Sequence, residues 1–268
     1  MANDPAFPRS STLQVAGKRV KVWTNGSGPA LLLLHSAWGD AELSWSGVWN
    51  DLSKTFFVIA PDMPGFGASE SPSQPSLAAI AGILKDMLDA HSIERAIVAG
   101  NSFGAAVAIE FASIFPEYTR HLVLVNGTNL PTIPRFMKKL IGLSVLEDRF
   151  RKVIRNATYS DKAFEKAFPD PAALPQGFFD VIRRNEEQHA RTVFNAFMTQ
   201  AAPQAKPSGP ATIIWGTGDR LVPDKQRDGC RRWLGEPNLV LIEGAGHMPQ
   251  VERPGAFVKA LQAVGGGE

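Results

Sequence analysis

The sequence alternates short, uninterrupted apolar runs with segments of helical character. The clearest run is 30–35, where four consecutive leucines leave no polar side for solvent. Such a strand must be covered on both faces, which is typical of a parallel sheet flanked by helices. We predict strands over 19–24, 30–35, 56–60, 96–99, 122–125, 212–215 and 239–242. Helices predicted over 77–90, 102–115, 223–234 and 254–264 alternate with them, so we expect an α/β protein with a mostly parallel sheet.

One region interrupts this alternation. Between residues 128 and 206 we predict no strand, only helices over 136–146, 161–168 and 177–199. We therefore expect a helical insertion, residues 128–206, in a core formed by residues 1–127 and 207–268. We interpret its cationic side chains as a solvated helix face, with attraction of an anion as the alternative. These side chains are Arg135, Lys138, Lys139, Arg149, Arg151, Lys152 and Arg155.

Composition excludes several classes of function. The net charge of +2 gives no argument for nucleic acid, and the single cysteine excludes an internal disulfide. The apolar runs are too short to span a bilayer, and the N-terminus shows no signal peptide. We expect a cytoplasmic protein with a small-molecule substrate and with no nucleic-acid or membrane partner. The sequence leaves the oligomeric state open.

A serine between two glycines marks the junction of a predicted strand and a predicted helix. Residues 98–106 read VAGNSFGAA, which fits G-x-S-x-G around Ser102. In this context a serine hydroxyl is held on a sharp turn above the sheet, and the helix N-terminus beside it favours a developing oxyanion. Serine is also a favoured N-cap, so capping is the alternative explanation.

A serine nucleophile needs a base and an acid that orients the base. On a sheet of this kind both follow later strands, in the order serine, acid, histidine. Asp219 follows the predicted strand 212–215, and His247 follows 239–242. Both predicted loops lie at the carboxyl edge of the sheet, where sites in open parallel sheets are found.

Other acids and histidines fit structural roles better. Asp224 begins a predicted helix, where capping explains it, and Glu243 still belongs to a strand. His35 ends a strand at the same edge, and we interpret it as a hydrogen-bonded turn residue. We expect structural roles for the remaining histidines, His91, His121 and His189.

The oxyanion would be held by two backbone N–H groups. One is that of Phe103, directly after the serine, and the other is expected in the loop after strand 30–35, where we favour Ala37. An ordinary turn without this role is the alternative for Ala37.

Taken together, these segments resemble the α/β-hydrolase family. The matching pieces are LLLLHSAW, VIAPDMPGFGAS, VAGNSFGAA, WGTGDRLVP and GAGHMPQVERP. The resemblance implies an α/β-hydrolase fold with an eight-stranded, mostly parallel sheet, helices on both faces and a helical cap at residues 128–206. It also implies a Ser102–Asp219–His247 triad with no metal and no cofactor.

Within the family, Ser102 excludes the members with an aspartate nucleophile. The segments VIAPDMPGFG and GNSFG are most similar to the hydrolases that split meta-cleavage products of aromatic degradation, and Asn101 agrees with that group. Those enzymes usually have a His-Gly oxyanion loop, a tryptophan after the catalytic histidine and a cap arginine for the substrate carboxylate. Here Ser36 follows His35 and Met248 follows His247. The candidate arginines match no motif; they are Arg183, Arg184 and Arg191.

We therefore expect a carboxylic-ester hydrolase that works through an acyl-enzyme. The alternatives are C–C bond hydrolysis of dienol products, a lactonase or amidase reaction, and a binding protein without activity. We expect four residues to line the substrate pocket: Trp38, Met248, Phe136 and Met137.

Overall fold

A computed structural model of the protein describes residues 9–130, 133–142, 144–200 and 205–265. Within these residues eight strands form one sheet. They are β1 (Arg9–Val15), β2 (Lys18–Asn25), β3 (Ala30–Leu34), β4 (Phe57–Pro61), β5 (Ala96–Asn101), β6 (Thr119–Val125), β7 (Ala211–Gly216) and β8 (Asn238–Ile242). The spatial order is β1-β2-β4-β3-β5-β6-β7-β8; β3 to β8 run parallel, and β2 is antiparallel to both of its neighbours, β1 and β4. The predicted fold class is confirmed.

The α-helices follow the predicted alternation, with several short additions. They are α1 (Ala41–Trp45), α2 (Trp49–Leu52), α3 (Leu77–Ala90), α4 (Phe103–Ile114), α5 (Arg135–Ile141), α6 (Ser144–Tyr159), α7 (Asp161–Ala167), α8 (Phe178–Arg184), α9 (Glu186–Thr199), α10 (Asp224–Leu234), α11 (Pro249–Glu252) and α12 (Pro254–Gly265). No helix in the described ranges is long and apolar enough to cross a membrane.

The consecutive leucines of β3 serve both faces of the sheet. Leu32 and Leu34 pack in one hydrophobic cluster with α3 and α4, whereas Leu31 and Leu33 pack in a second cluster with α1, α2 and α12. Because side chains alternate along a strand, an apolar run without interruption is what a strand covered on both faces requires.

The first strand, β1, was not predicted from the sequence. β1 reads RSSTLQV, and most of its side chains are exposed. It pairs with β2 through a tight turn in which Ala16 and Gly17 both have positive φ. An edge strand gains its stability from pairing with its neighbour, so its own sequence needs little apolar patterning.

The register of the parallel strands aligns their carboxyl ends. Asn101 lies opposite Val125 across β5 and β6, and Gly216 lies opposite Ile242 across β7 and β8. The loops that follow these four strands therefore begin at the same edge of the sheet. Ser102, Asp219 and His247 all lie in or directly after these loops.

The described residues between β6 and β7 form helices α5 to α9 and contain no strand, as predicted. Two helix boundaries were predicted wrongly. The helix expected over 136–146 ends at Ile141, and a separate helix, α6, runs to Tyr159. The helix expected over 177–199 is divided at Asn185, which leaves the helical conformation between α8 and α9.

His189 of α9 connects the insertion to the core. Its Nε2 accepts a hydrogen bond from the Gly67 N–H at 3.2 Å, and its ring packs 4.9 Å from that of Phe66. Nδ1 is buried without a partner among the described residues. Burial lowers the pKa of His189 to about 4. His189 is therefore neutral when it holds α9 against the Gly67 loop.

This contact predicts a loss of stability at mildly acidic pH. Because the folded-state pKa is depressed, the unfolded chain binds a proton at His189 from about pH 6.5 downward and the folded chain does not. The free energy of unfolding should fall by up to about 2 kcal/mol between pH 6.5 and 5 through this residue. Denaturant unfolding should show a shallower pH dependence in His189→Gln than in the wild type. An unchanged slope would contradict the assignment, and His91→Gln, at the end of α3, is the control.

Candidate active site

Ser102 lies at the turn between β5 and α4 in a strained backbone conformation. Its φ is 54° and its ψ is −113°, a region that L residues rarely adopt. Its N–H donates to the Val125 carbonyl at 2.9 Å. Ser102 occupies the N-cap position of α4, but its side chain makes no capping hydrogen bond. Capping therefore does not explain the serine, and the residue is partly exposed at the sheet edge.

The two glycines of the motif allow α4 to approach the sheet. A Cβ on Gly100 would lie 2.1 Å from the Gly104 carbonyl oxygen, and a Cβ on Gly104 would lie 2.3 Å from the Leu34 carbonyl oxygen. Neither position tolerates a side chain without displacement of backbone. The glycines are thus required by close packing of helix against strand, which holds the turn at Ser102 sharp.

His247 and Asp219 form a buried hydrogen-bonded pair. His247 Nδ1 lies 2.8 Å from Asp219 Oδ2, and both side chains are almost completely removed from solvent. A carboxylate at this distance fixes the proton on Nδ1, which leaves Nε2 of the neutral ring as a proton acceptor. The pair therefore has the form of a general base with an orienting acid.

Asp219 is held as a carboxylate by several donors. Asn126 Nδ2 donates to Oδ2 at 2.8 Å, and the N–H groups of Leu221 and Val222 donate to Oδ1 at 2.8 and 3.2 Å. Burial alone would raise the pKa of Asp219, but the charge of His247 and these hydrogen bonds hold that pKa below its usual value. Asp219 is thus ionised next to the imidazole.

The backbone of His247 is fixed on both sides. Its N–H donates to the Ala167 carbonyl at the end of α7, at 2.8 Å. Its carbonyl accepts a hydrogen bond from Asn101 Nδ2 at 3.0 Å. Since Asn101 directly precedes Ser102, this contact joins the serine turn to the histidine loop. The position of His247 therefore depends on both the core and the insertion.

Glu252 closes the histidine loop from behind. Its two carboxylate oxygens accept hydrogen bonds from the N–H groups of Gly246 and Met248, at 2.9 and 3.0 Å, on either side of His247. Burial raises the pKa of Glu252 in spite of these two bonds. A single buried side chain thus sets the conformation of the three-residue segment that carries the histidine.

The backbone N–H groups of Ala37 and Phe103 are the two that were predicted to hold an oxyanion. In the part of the chain that the structure describes, neither the N–H of Ala37 nor that of Phe103 makes a hydrogen bond. Both residues are buried, Ala37 in the loop after β3 and Phe103 directly after Ser102. Buried N–H groups without a partner are rare in proteins, and such groups are suited to bind a ligand oxygen.

A reciprocal pair of hydrogen bonds links the Ala37 loop to the insertion. The Tyr159 hydroxyl donates to the Ala37 carbonyl at 2.8 Å, and the Trp38 indole N–H donates to the Thr158 carbonyl at 2.9 Å. Both aromatic side chains are buried. The end of α6 therefore fixes the orientation of the loop that carries the Ala37 N–H.

The predicted pocket residues separate into two groups. Trp38 and Met248 are buried in one aromatic cluster with residues of α6, α7 and α8, and the Trp38 ring lies 5.2 Å from that of His247. Phe136 and Met137 lie on α5, where they are 66% and 41% exposed. The structure thus brings Trp38 and Met248 to the histidine and places the other two on the surface of the insertion.

The rejected alternatives have structural partners. His35 is fully buried; its Nδ1 lies 2.7 Å from the Ser36 carbonyl oxygen, and its Nε2 accepts from the Met63 N–H at 2.9 Å. Asp224 begins α10 but does not cap it, contrary to prediction, and instead pairs with Arg227 at 2.8 Å. Glu243 is exposed just beyond the end of β8.

Of the three candidate arginines, Arg183 touches the edge of the aromatic cluster at His247, with its guanidinium carbon 5.4 Å from the centroid of the Phe164 ring. Arg183 pairs with Asp161 on the surface. Arg184 and Arg191 are exposed and line a separate cleft of about 680 Å³ between the insertion and residues 71–75. A larger cleft of about 1150 Å³, between α12 and strands β6 to β8, includes none of the residues predicted for the site.

Sequence reasoning missed the residues that support this site. Asn126 directly follows β6 and could have been found from its place at the sheet edge. Glu252 follows His247 by five residues, but only the folded loop shows that its carboxylate turns back onto it. Tyr159 is separated from its partner by 122 residues, and no local pattern indicates that contact.

Comparison with known proteins agrees with this geometry. The model of the alpha/beta hydrolase family matches residues 31–260. The chain is 27% identical to a 2-hydroxymuconate semialdehyde hydrolase of Pseudomonas sp. (strain CF600), over 97% of this chain and 94% of that protein. It is also 27% identical to a pimeloyl-[acyl-carrier protein] methyl ester esterase of Nitrosomonas europaea, over 91% and 99% of the two chains.

A solved structure has the same sequence identity to this chain as these two relatives. The crystal structure of a membrane phospholipase A, described as a bacterial virulence factor, is 27% identical, with a TM-score of 0.73 over 97% of this chain and 86% of the other. The family match spans the serine turn, the Asp219 loop and the His247 loop. The strand order, the serine turn and the family match lead to one conclusion: the chain belongs to the alpha/beta hydrolase family.

Proposed function

We propose that this protein is a serine hydrolase that cleaves carboxylic esters through an acyl-enzyme. One observation carries the proposal: Ser102 is held in a strained turn at the sheet edge to which the buried His247–Asp219 pair is also fixed. A serine hydroxyl is a weak nucleophile unless a base removes its proton, and an oriented neutral imidazole is such a base.

In the proposed reaction, His247 takes the proton of the Ser102 hydroxyl as the oxygen attacks the ester carbonyl. Asp219 keeps the imidazole oriented and stabilises the imidazolium. The N–H groups of Ala37 and Phe103 hold the negative oxygen of the tetrahedral intermediate. His247 then protonates the leaving alcohol, and a water molecule activated by the same base releases the acid.

We also propose that residues 128–206 act as a cap over a core of residues 1–127 and 207–268. Support comes from the aromatic cluster that joins α6, α7 and α8 to Trp38 and Met248. Because Trp38 contacts His247, this cluster is the proposed wall of the substrate pocket. A pocket role for Phe136 and Met137 stays a prediction, and their exposure on α5 does not support it.

The second candidate is hydrolysis of a C–C bond in a dienol product. It is favoured by the relative named a 2-hydroxymuconate semialdehyde hydrolase and by Asn101. A substrate of that kind carries a carboxylate, which in a buried site calls for a cationic partner. All three candidate arginines are exposed, and Arg183, which lies over Phe164 at the edge of the cluster, is paired with Asp161. None of the three is therefore a buried, unpaired cation for such a carboxylate, and this favours the ester.

An assay of both substrates on one preparation tests the proposed function. We expect kcat/KM for a short- or medium-chain aryl ester to exceed that for a ring-fission dienol by at least about 10²-fold, or about 2.7 kcal/mol in transition-state binding. Ser102→Ala, as the control, should abolish ester turnover. A dienol rate equal to the ester rate would promote the C–C hydrolase.

A second prediction concerns the acid. Asp219→Asn keeps the shape of the side chain but removes the charge that orients and stabilises the imidazolium. We expect kcat to fall by about 10⁴-fold, as the same change does in serine protease triads. Asp224→Asn, at the exposed start of α10, is the matched control and should change kcat less than about twofold. The reverse order of effects would assign the acid to Asp224.

A third prediction concerns the link between Tyr159 and the Ala37 loop. Tyr159→Phe removes only the hydroxyl that fixes the Ala37 carbonyl, so the aromatic packing is kept. We expect kcat to fall about tenfold with little change in KM, less than the 10²–10³ that follows loss of an oxyanion donor. Tyr118→Phe, which removes the surface bond from Tyr118 to Asp89, is the control. Equal kcat in both variants would refute the positioning role.

A further inference from the structure

Exposed apolar side chains are concentrated on two neighbouring helices of the insertion. The described part of the chain exposes seven large hydrophobic residues, and five of them lie between residues 136 and 153. They are Phe136, Met137, Leu140, Leu146 and Val153, on α5 and α6. Proteins rarely leave such a group uncovered unless it binds something. The proposed reaction at Ser102 gives Leu140, Leu146 and Val153 no role.

The helices present these residues away from the protein. On α5, Phe136 and Leu140 are four residues apart and therefore on one side, while Ile141 is buried. On α6, Leu146 and Val153 are seven residues apart and on one side. Phe150 lies on that side as well and packs towards Phe194 of α9, whereas Ile154, on the adjoining side, packs against the core cluster. These packing contacts thus leave Phe136, Leu140, Leu146 and Val153 exposed.

Cationic side chains alternate with these apolar residues along α5 and α6. Arg135, Lys139, Arg149 and Lys152 are exposed, and none has a carboxylate partner among the described residues. Three other cations of the insertion do have partners. Lys138 donates a hydrogen bond to the Gln200 carbonyl, Arg151 pairs with Glu147, and Arg155 pairs with Glu186. The four cations without partners and the five apolar residues are called the α5–α6 face below.

We propose that the α5–α6 face binds the surface of a bilayer that contains anionic phospholipid. Apolar side chains on short helices enter the boundary between headgroups and acyl chains, while Lys and Arg beside them attract anionic headgroups. Each cation near such a surface strengthens binding about fivefold. A nucleic acid would use the cations alone and leave Phe136 and Leu140 in water.

This proposal replaces the expectation that the protein has no membrane partner. The expectation rested on the absence of a run long enough to span a bilayer, and interfacial binding does not need one. The cationic residues were interpreted from sequence as a solvated face. What the structure adds is that the apolar residues among them are exposed too.

Vesicle co-sedimentation tests the proposal without an activity assay. The probe is vesicles of equal parts phosphatidylglycerol and phosphatidylcholine, compared with phosphatidylcholine alone and with high salt. We expect the full-length protein to partition onto the anionic vesicles at least about tenfold more strongly than onto the others, because salt and zwitterionic lipid both weaken the attraction of the cations.

Matched variants distinguish binding through the α5–α6 face from attraction by the net charge of the protein. Lys139→Glu with Arg149→Glu should weaken partitioning at least about tenfold, whereas Lys225→Glu with Arg232→Glu, on α10, changes net charge equally and should have little effect. Leu140→Ser with Val153→Ser should also weaken it about tenfold, in contrast to Ile114→Ser with Leu241→Ser, which removes two exposed apolar residues elsewhere.

Three outcomes would overturn the proposal. The wild type could fail to bind anionic vesicles. Both charge variants could lose binding equally, which would show nonspecific attraction to a basic protein. Leu140→Ser with Val153→Ser could change the oligomeric state in analytical ultracentrifugation without any change in vesicle binding, which would assign the face to a second copy of the chain. Loss of ester hydrolysis at Ser102 would leave each of these readouts unaffected.

Discussion

The close approach of α4 to the sheet is the constraint on which the rest of the site depends. Backbone atoms occupy the space where Gly100 and Gly104 would carry a Cβ, so the chain must turn sharply at Ser102, midway between them. Ser102 takes a left-handed conformation as a result, at a cost of about 1–3 kcal/mol that the surrounding sheet and helix offset. The same turn leaves the Phe103 N–H without a partner within the described chain, at the N-terminus of α4.

From this fixed turn, buried polar contacts extend to the other loops. Asn101 reaches the His247 carbonyl, Asn126 reaches Asp219, and Glu252 holds the segment around the histidine. A buried polar group that loses its partner costs free energy, so each contact penalises movement of the loops that it joins. The insertion takes part as well, because α7 accepts the His247 N–H and Tyr159 holds the Ala37 loop. The contacts that make the proposed site rigid are thus distributed over the core and the insertion.

The sequence predicted what local patterns determine. Apolar runs predict the central strands, and the two glycines predict the serine turn. The order of loops along a parallel sheet then predicts Asp219 and His247 as its partners. β1 was missed because an exposed edge strand needs no apolar pattern. Contacts such as that of Tyr159 with Ala37 arise from packing between distant segments. Phe136 shows a further limit, because an apolar residue on a helix has the same pattern whether it is buried or exposed.

Covalent trapping tests the central claim, that Ser102 is the nucleophile, most directly. The protein would be mixed with an excess of a p-nitrophenyl ester, quenched in acid during turnover, digested and examined by mass spectrometry. The account predicts one acylated peptide, modified on Ser102, with the mass of the acyl group, and no such peptide from Ser102→Ala. Steady turnover with the acyl group on another side chain, or with no acylated peptide at all, would contradict the assignment of the nucleophile.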